Sequence, residues 1–352
     1  MGKEVVVVSE EGEQYPCLHT ELEGQRIKYY RTAHLSKSTP FDLLKGTKDI
    51  ASILRTHGPF DIILGGGVRE GPKILMAKKY SDDKSINLSV IGSLPEKRYE
   101  CFIAGAIYNM FYDKNVTLCD FTRKQMIRLG VKDSKIITVP LFAPDLEWFD
   151  KAEQSRIDLE AYNLQDVRKS EPVIFYAASH YYHKGFEYYL MAASEVLKNN
   201  NATFILGGKG PLTQYLKRLA KRLKIDKSVI FTGWISNYHM PYILSNIADI
   251  CVSTSLVEQL PSYVMECMAA KKPIVAASVG GIPELIVDGV NGYLVPPRDP
   301  ESMANSILRL INDPNKAREM GIKGRQIVED KFNITAATSK LENIYARVRV
   351  ST

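Results

Sequence analysis

The stretch Glu258-Gln259-Leu260-Pro261-Ser262-Tyr263-Val264-Met265-Glu266 lies between an apolar run and a helical run, and this junction decides the fold. The apolar run before it, residues 248–252, is typical of a buried parallel strand. Pro261 suits the first turn of the following helix, where the missing N–H of proline costs nothing. The pattern therefore predicts Glu258 in a strand-to-helix loop and Glu266 about a turn and a half into the helix.

Two interpretations fit this pair of carboxylates. In the first, one carboxylate lies at the mouth of a cleft and the other on the helix face that lines it, while the free N–H groups of the helix start hold an anion such as a diphosphate. In the second, both glutamates are solvated side chains of an ordinary α/β unit. The spacing alone leaves both interpretations open.

The residues after this junction carry a resemblance to a known family. A second short strand, 272–277, runs into Gly280-Gly281-Ile282-Pro283-Glu284-Leu285-Ile286, and then into a turn-rich segment, 288–296. From about residue 172 to the C-terminus the sequence resembles the retaining GT-B glycosyltransferases of group 1, or family 4. Their signature is a Glu-x7-Glu motif, which Glu258 and Glu266 match. These enzymes transfer sugars from nucleotide-sugars.

The resemblance implies an α/β fold of GT-B architecture, with two Rossmann-like, doubly wound parallel-sheet domains and an interdomain cleft. Alternation of strands and helices through both halves supports two parallel sheets independently. We expect an acceptor-binding domain over residues 1–150, together with a crossover helix at about 335–352. A nucleotide-sugar donor-binding domain is expected over residues 165–334, after a polar boundary segment.

Length and composition agree with this expectation. The chain has 352 residues, enough for two domains at roughly 100–200 residues each. No run of about 18 apolar residues suggests a membrane span, and Met1 to Val5 does not suit a signal peptide. Five scattered cysteines without metal-type spacing indicate a reducing cytoplasm. The net charge of +6 permits a phosphate-bearing ligand or an anionic membrane surface and does not demand nucleic acid.

Candidate residues in the first half are scattered over loops. Glycines 65–67 follow a strand, and with Arg69 they suit either a phosphate cradle or a tight turn. A dinucleotide site is disfavoured because the nearby acidic pair, residues 82–83, precedes the next strand instead of ending it. The helical run 98–112 fits a core helix or a peripheral contact with the cytoplasmic membrane face. The candidate acceptor or supporting residues are Gly12, His34, Gly66, Arg69 and, from the second half, His183.

The loop after the strand 173–178 carries the next match. Lys184-Gly185 corresponds to the family's Lys-Gly pair, and a lysine at a helix start suits a diphosphate. Ser179 stands where the family has an arginine, and His180 or His183 is the candidate replacement. The two histidines alone are weak evidence for a metal. A glycine-rich turn after the next strand completes the expected nucleotide site, whose members are Glu266, Lys184, Gly185, Gly208, Gly210, Gln259, Leu260, Pro261 and Ser262.

The resemblance implies roles for the charged residues. Glu258 and Lys184 are the expected catalytic residues: Glu258 holds hydroxyls of the donor sugar and Lys184 neutralises the diphosphate. Glu266 accepts the ribose diol. The resemblance also implies transfer of a hexose from a nucleotide-diphospho-sugar to a glycan, lipid or small molecule, without a cofactor. The absence of an Asp-x-Asp pattern favours transfer without a metal. Gln259, Ser179 and the lack of a histidine after the fourth strand of the first domain depart from the family, which favours a non-catalytic donor-binding partner subunit as an alternative. A nucleotide-sugar epimerase on the same architecture is a further alternative.

Overall fold

The structure, a computed structural model, describes residues 5–10, 27–32, 40–58, 60, 62–65, 70–81, 85–91, 98–152, 156–167, 170–332, 334–335, 337–340 and 343. Four of the candidate residues, Gly12, His34, Gly66 and Arg69, lie outside this set, as does most of the expected crossover helix. Contacts along the chain divide it into a first unit, residues 1–117, 122–138 and 343–352, and a second unit, residues 118–121 and 139–342. The domain limits inferred from the sequence stay a prediction.

The first unit contains parallel strands and the helices that connect them. A two-stranded sheet consists of β1 (Val5–Glu10) and β2 (Ile27–Thr32). A four-stranded parallel sheet follows chain order: β3 (Ile62–Gly65), β4 (Ile86–Ile91), β5 (Lys114–Thr117) and β6 (Ile136–Thr138). The helices are α1 (Pro40–His57), α2 (Glu70–Ser81), α3 (Arg98–Phe111) and α4 (Asp120–Arg128), of which residues 122–128 belong to this unit.

The second unit is built on one six-stranded parallel sheet. Its strands are β7 (Val173–Ala177), β8 (Thr203–Gly207), β9 (Val229–Gly233), β10 (Ile250–Ser253), β11 (Ile274–Ala277) and β12 (Gly292–Val295). Its helices are α5 (Leu146–Ala152), α6 (Phe186–Val196), α7 (Thr213–Arg222), α8 (Met240–Asn246), α9 (Ser262–Ala269), α10 (Ile282–Leu285), α11 (Pro300–Asn312) and α12 (Pro314–Lys331).

The apolar runs of the second unit explain its layers. Every residue of β7, β10 and β11 is buried, as expected for parallel strands that helices cover on both faces. Pro261 is the one clear local correction in this region. It does not lie in the first turn of α9 but occupies the position just before the helix, with an extended backbone at φ −71° and ψ 119°.

The strand order places a crevice at one point of this sheet. The order β12-β11-β10-β7-β8-β9 means that the chain proceeds outward in one direction from β7 and in the other direction from β10. The loops that leave the carboxyl ends of β7 and β10 therefore diverge, and in open α/β sheets ligands bind at such a switch point. Lys184 follows β7 and Glu258 follows β10, so both belong to this crevice.

No helix among the described residues is long and apolar enough to cross a membrane. Helix α3 nevertheless has two apolar sides. Ala104 and Tyr108 are buried in the core of the first unit, whereas Ile103 and Met110 are 44% and 69% exposed. The sequence offered a core helix and a membrane contact as alternatives: Ala104 and Tyr108 show that α3 packs in the core, and the membrane contact stays a prediction.

Candidate functional site

Close backbone packing joins the loops that follow β7 and β10. Gly185 has a left-handed backbone, φ 66°, and a Cβ atom there would lie 2.0 Å from the carbonyl oxygen of Thr254. The amide of Leu256 donates to the carbonyl oxygen of His183 at 2.7 Å. Glycine is therefore required at position 185 both for its conformation and for the absence of a side chain.

The loop after β11 holds the same segment from its other side. Gly280 has φ 59°, and a Cβ atom there would meet the carbonyl oxygen of Glu258 at 1.9 Å. The amide of Gly281 donates to the carbonyl oxygen of Gln259 at 2.7 Å. The segment from Thr254 to Gln259 thus lies between two neighbouring loops: the loop after β7 contacts its start and the loop after β11 contacts its end.

The side chains of Lys184 and Glu258 meet in this crevice. The Nζ atom of Lys184 lies 2.5 Å from Oε1 of Glu258, and the two side chains are 22% and 12% exposed. The hydroxyl of Ser255 donates to the same oxygen at 2.7 Å. Within the described part of the chain, no hydrogen bond reaches the other carboxylate oxygen, Oε2. Since partly buried pairs are screened less than surface pairs, this ion pair orients both groups.

A buried tyrosine lies behind this ion pair. The hydroxyl of Tyr176, on β7, is 2.9 Å from Oγ of Ser255 and 2.9 Å from the carbonyl oxygen of Lys184. The hydroxyl of Thr254 donates to the same carbonyl oxygen at 3.3 Å. Burial raises the pKa of Tyr176, so this hydroxyl stays protonated at neutral pH.

Glu266 lies on α9, the helix that begins directly after this loop. Burial raises the pKa of its carboxyl group from 4.5 to about 7. No hydrogen bond or ion pair to its carboxylate comes from the described residues. A carboxylate that is partly withdrawn from water without a protein donor is suited to accept hydrogen bonds from a ligand.

The N-terminus of α9 has no side-chain cap. The residue in the capping position is Pro261, which has no oxygen in its side chain, and the first helical residue, Ser262, is exposed. Leu260 is 5% exposed and anchors the loop in the hydrophobic core. The first amides of a helix have no partner within the helix and carry partial positive charge, which suits an anion.

The glycines after β8 pack against the loop after β7. Gly208 has φ 108°, and a Cβ atom there would lie 2.0 Å from the carbonyl oxygen of Ala178. At Gly210 a Cβ atom would lie 2.8 Å from the carbonyl oxygen of His180. The structure thus gives these two glycines a packing role; their predicted contact with a nucleotide is untested.

The two histidines of this loop lie in different environments. His180 is fully buried; its Nδ1 atom lies 2.9 Å from the hydroxyl of Thr213, and burial lowers its pKa. His183 is exposed and stacks on Tyr181. An uncharged, buried His180 does not replace the arginine expected at Ser179, which leaves His183 as the candidate. Among the described residues, no three His, Cys, Asp or Glu side chains group to hold a metal ion.

Sequence reasoning missed the polar residues behind Glu258. Tyr176 lies in an apolar strand, and Ser255 lies in a short polar segment after β10, so neither stands out by composition. Their contact depends on the pairing of β7 with β10, in which Ile174 lies opposite Ile250 and Phe175 opposite Cys251. The detectable signal was a Ser-Thr-Ser sequence at the carboxyl end of a parallel strand, where ligand sites concentrate.

Comparison with known proteins finds similar sequences and structures. Residues 163–327 match the family glycosyl transferases group 1. The alpha-D-kanosaminyltransferase of Streptomyces kanamyceticus is 31% identical over 190 residues, which cover 54% of this chain and 48% of that protein. The aligned region therefore spans about half the length of this relative.

Solved structures resemble the whole chain. A glycosyltransferase from Rickettsia africae ESF-5 has a TM-score of 0.82 at 22% identity, covering 99% of this chain and 90% of that one. The Anabaena protein HepE, in a structure with UDP and glucose, has a TM-score of 0.79 at 17% identity, covering 98% of this chain and 100% of that one. At such identities the likeness concerns the fold. The chain therefore has the GT-B α/β fold predicted from its sequence, and residues 163–327, within its second unit, are similar to the family glycosyl transferases group 1.

Proposed function

We propose that this protein is a retaining glycosyltransferase that transfers a hexose from a nucleotide-diphospho-sugar without a metal ion or cofactor. The observation that carries the proposal is the Lys184–Glu258 ion pair at the switch point of the sheet, next to the uncapped N-terminus of α9. The relative with UDP and glucose in its structure supports a nucleotide-sugar as the donor.

The transfer requires two electrostatic tasks. As the bond between the sugar and the diphosphate breaks, negative charge grows on the phosphate; the ammonium group of Lys184 and the first amides of α9 stabilise it. The anomeric carbon gains positive character, and the carboxylate of Glu258 holds the hydroxyls of that sugar. Glu266 accepts hydrogen bonds from the ribose diol, which does not change during the reaction.

The acceptor is the hydroxyl group of a glycan, a lipid or a small molecule. We assign Gly12, His34, Gly66, Arg69 and His183 to acceptor binding or support as a proposal from the sequence. Action in the cytoplasm, with peripheral contact on the cytoplasmic membrane face, remains part of the proposal. The exposed apolar side of α3 supports that contact, because such a side favours the interfacial region of a bilayer.

A non-catalytic, donor-binding partner subunit is the second candidate. The observation that favours it is Ser179: this position offers no cation, and the buried His180 beside it does not replace one. Turnover of any donor sugar excludes this candidate. A nucleotide-sugar epimerase is distinguished by sugar interconversion without an acceptor.

A thermal-shift panel tests the donor site. UDP-, GDP-, ADP- and TDP-sugars and their free nucleotides are each added at millimolar concentration. At least one should stabilise the protein, by about 2.7 kcal/mol at a hundred times its dissociation constant, because it binds only the folded state. If none of these ligands raises the melting temperature, the assignment of the donor site is wrong.

Lys184→Ala tests whether the charge of this lysine contacts the diphosphate. It should weaken binding of the nucleoside diphosphate far more than binding of the nucleoside, since it removes a contact to phosphate. Lys198→Ala is the control, because Lys198 forms an exposed ion pair with Glu195 on the surface and lies outside the candidate site. Equal losses for both ligands in Lys184→Ala would show that this lysine does not address the diphosphate.

A further inference from the structure

Two buried hydroxyl groups extend the network beyond the residues that would touch the donor. Ser255 and Tyr176 are each 1% exposed, and their oxygens lie 2.9 Å apart. Ser255 reaches Oε1 of Glu258, the oxygen that also faces Lys184. On the basis of the proposed function, we infer that Ser255 and Tyr176 are positioning residues. They hold the carboxylate of Glu258 toward the donor sugar when the diphosphate draws the charge of Lys184 away.

The proton count of this network gives it a direction. The protons of Ser255 and Tyr176 are shared among three contacts: Ser255 with Glu258, Tyr176 with Ser255, and Tyr176 with the carbonyl oxygen of Lys184. The carboxylate and the carbonyl oxygen can only accept. Ser255 donates to Glu258. Tyr176 then donates either to Ser255 or to the Lys184 carbonyl, and Thr254 is in place to donate to that carbonyl. The arrangement Tyr176–Ser255–Glu258 points every proton toward the carboxylate, and each hydrogen bond in such a chain strengthens the next.

Donor binding changes what holds Glu258. In the present structure Lys184 and Ser255 share its Oε1 atom. A diphosphate competes for the ammonium group of Lys184. The orientation of the Glu258 carboxylate then depends more on the two hydroxyls. They are fixed by burial and do not bind the diphosphate themselves. Ser255 therefore keeps Oε1 in place and leaves Oε2 to the sugar.

The first experiment compares hydroxyl deletions at matched burial. Ser255→Ala and Tyr176→Phe are tested against Tyr189→Phe, in which another fully buried tyrosine loses its hydrogen bond to the carbonyl oxygen of Ile174. The probes are UDP, GDP, ADP and TDP and their sugar derivatives. The comparison uses the nucleotide that binds best and its sugar derivative. Ser255→Ala should lower the affinity for the sugar derivative roughly tenfold or more relative to the affinity for the free nucleotide, as expected for the loss of one hydrogen bond to a charged group. Tyr176→Phe should show a smaller effect in the same direction.

Three outcomes of this experiment have distinct meanings. If Ser255→Ala lowers turnover and the affinity for the sugar derivative, while free nucleotide affinity and Tyr189→Phe match the wild type, the inference is supported. Ser255→Thr, which keeps the hydroxyl, should then recover function. If the wild type binds the sugar derivative and Ser255→Ala binds it equally well, the inference is wrong although the proposed function stands. If the wild type binds no nucleotide at all, the proposed function itself fails.

A double-mutant cycle separates positioning from general stability. If Ser255 acts through Glu258, Ser255→Ala should have no further effect on sugar-dependent affinity once Glu258→Ala is present, because the two changes remove the same interaction. A merely structural role predicts additive losses in the double variant, and additive losses would overturn the inference.

Discussion

Glu266 places a carboxyl group where ionisation is unfavourable. Its pKa of about 7 lies well above its ordinary value of 4.5, and the cause is burial. A shift of this size corresponds to roughly 3 kcal/mol in favour of the protonated form. The buried carboxyl group of Glu266 thus lowers the stability of the protein above pH 4.5, and such a cost is common at functional sites.

Glu266→Gln should therefore stabilise the protein in a pH-dependent manner. Between pH 4.5 and about 7 the folded protein keeps a proton on Glu266 that the unfolded chain has released, so this group lowers stability as the pH rises through that window. We expect the variant to exceed the wild type by roughly 3 kcal/mol at pH 8, and the excess should disappear below pH 4.5. Urea unfolding at a series of pH values measures it.

The control for this prediction is Glu147→Gln, on the surface helix α5, where the glutamate side chain is 82% exposed. This variant should show no comparable pH dependence. A stability difference between Glu266→Gln and the wild type that stays constant from pH 4 to pH 8 would contradict the burial argument. Glu266→Gln should also bind nucleotides more weakly, so the more stable variant should be the weaker binder.

At the scale of elements, the strands followed from sequence and the loop contacts did not. The continuous apolar runs of β7, β10 and β11 predicted buried parallel strands because water is excluded from both faces of such a sheet. The environment of His180 depends on Phe186 and Thr213, which approach it from two different helices. Contacts of this kind depend on tertiary packing, and a one-dimensional pattern carries no signal for them.

The contacts of the loop glycines likewise have no signal in the sequence. They lead to a prediction about the loop after β11. Gly280 and Gly289 have similar left-handed backbones, with φ of 59° and 74°. A Cβ atom at Gly280 meets the Glu258 carbonyl oxygen at 1.9 Å, whereas at Gly289 nothing lies within 4 Å. Gly289→Ala should cost roughly 1–2 kcal/mol of stability through backbone strain alone.

Gly280→Ala should cost clearly more than its matched control, because it adds a clash to the same strain. It should also weaken nucleotide-sugar binding, since the clash displaces the backbone of Glu258. Unfolding curves and nucleotide-sugar titrations of the two variants measure the difference. Equal stability losses and unchanged affinity in both variants would show that the loop after β11 does not hold Glu258 in place.

At the scale of the whole chain, the proposed donor site is assembled from segments far apart in sequence. The loops after β7, β8, β10 and β11 all leave the carboxyl edge of one parallel sheet. The Glu-x7-Glu motif indicated the third of these loops directly. The contribution of the others has no spacing signal, because these segments lie far apart along the chain and meet only at the edge of the sheet.

This assembly predicts how a bound nucleotide changes hydrogen exchange. The nucleotide diphosphate that gives the largest thermal shift should slow amide exchange in residues 178–185, 207–212, 254–264 and 278–284 together, because one ligand rigidifies a common edge. Mass spectrometry of the full chain measures the exchange of each segment. Lys184→Ala, at the same ligand concentration, should reduce the protection of all four segments, since it lowers the occupancy of one shared site. Protection confined to a single segment would mean that the ligand binds one loop and that the edge of the sheet does not form the site.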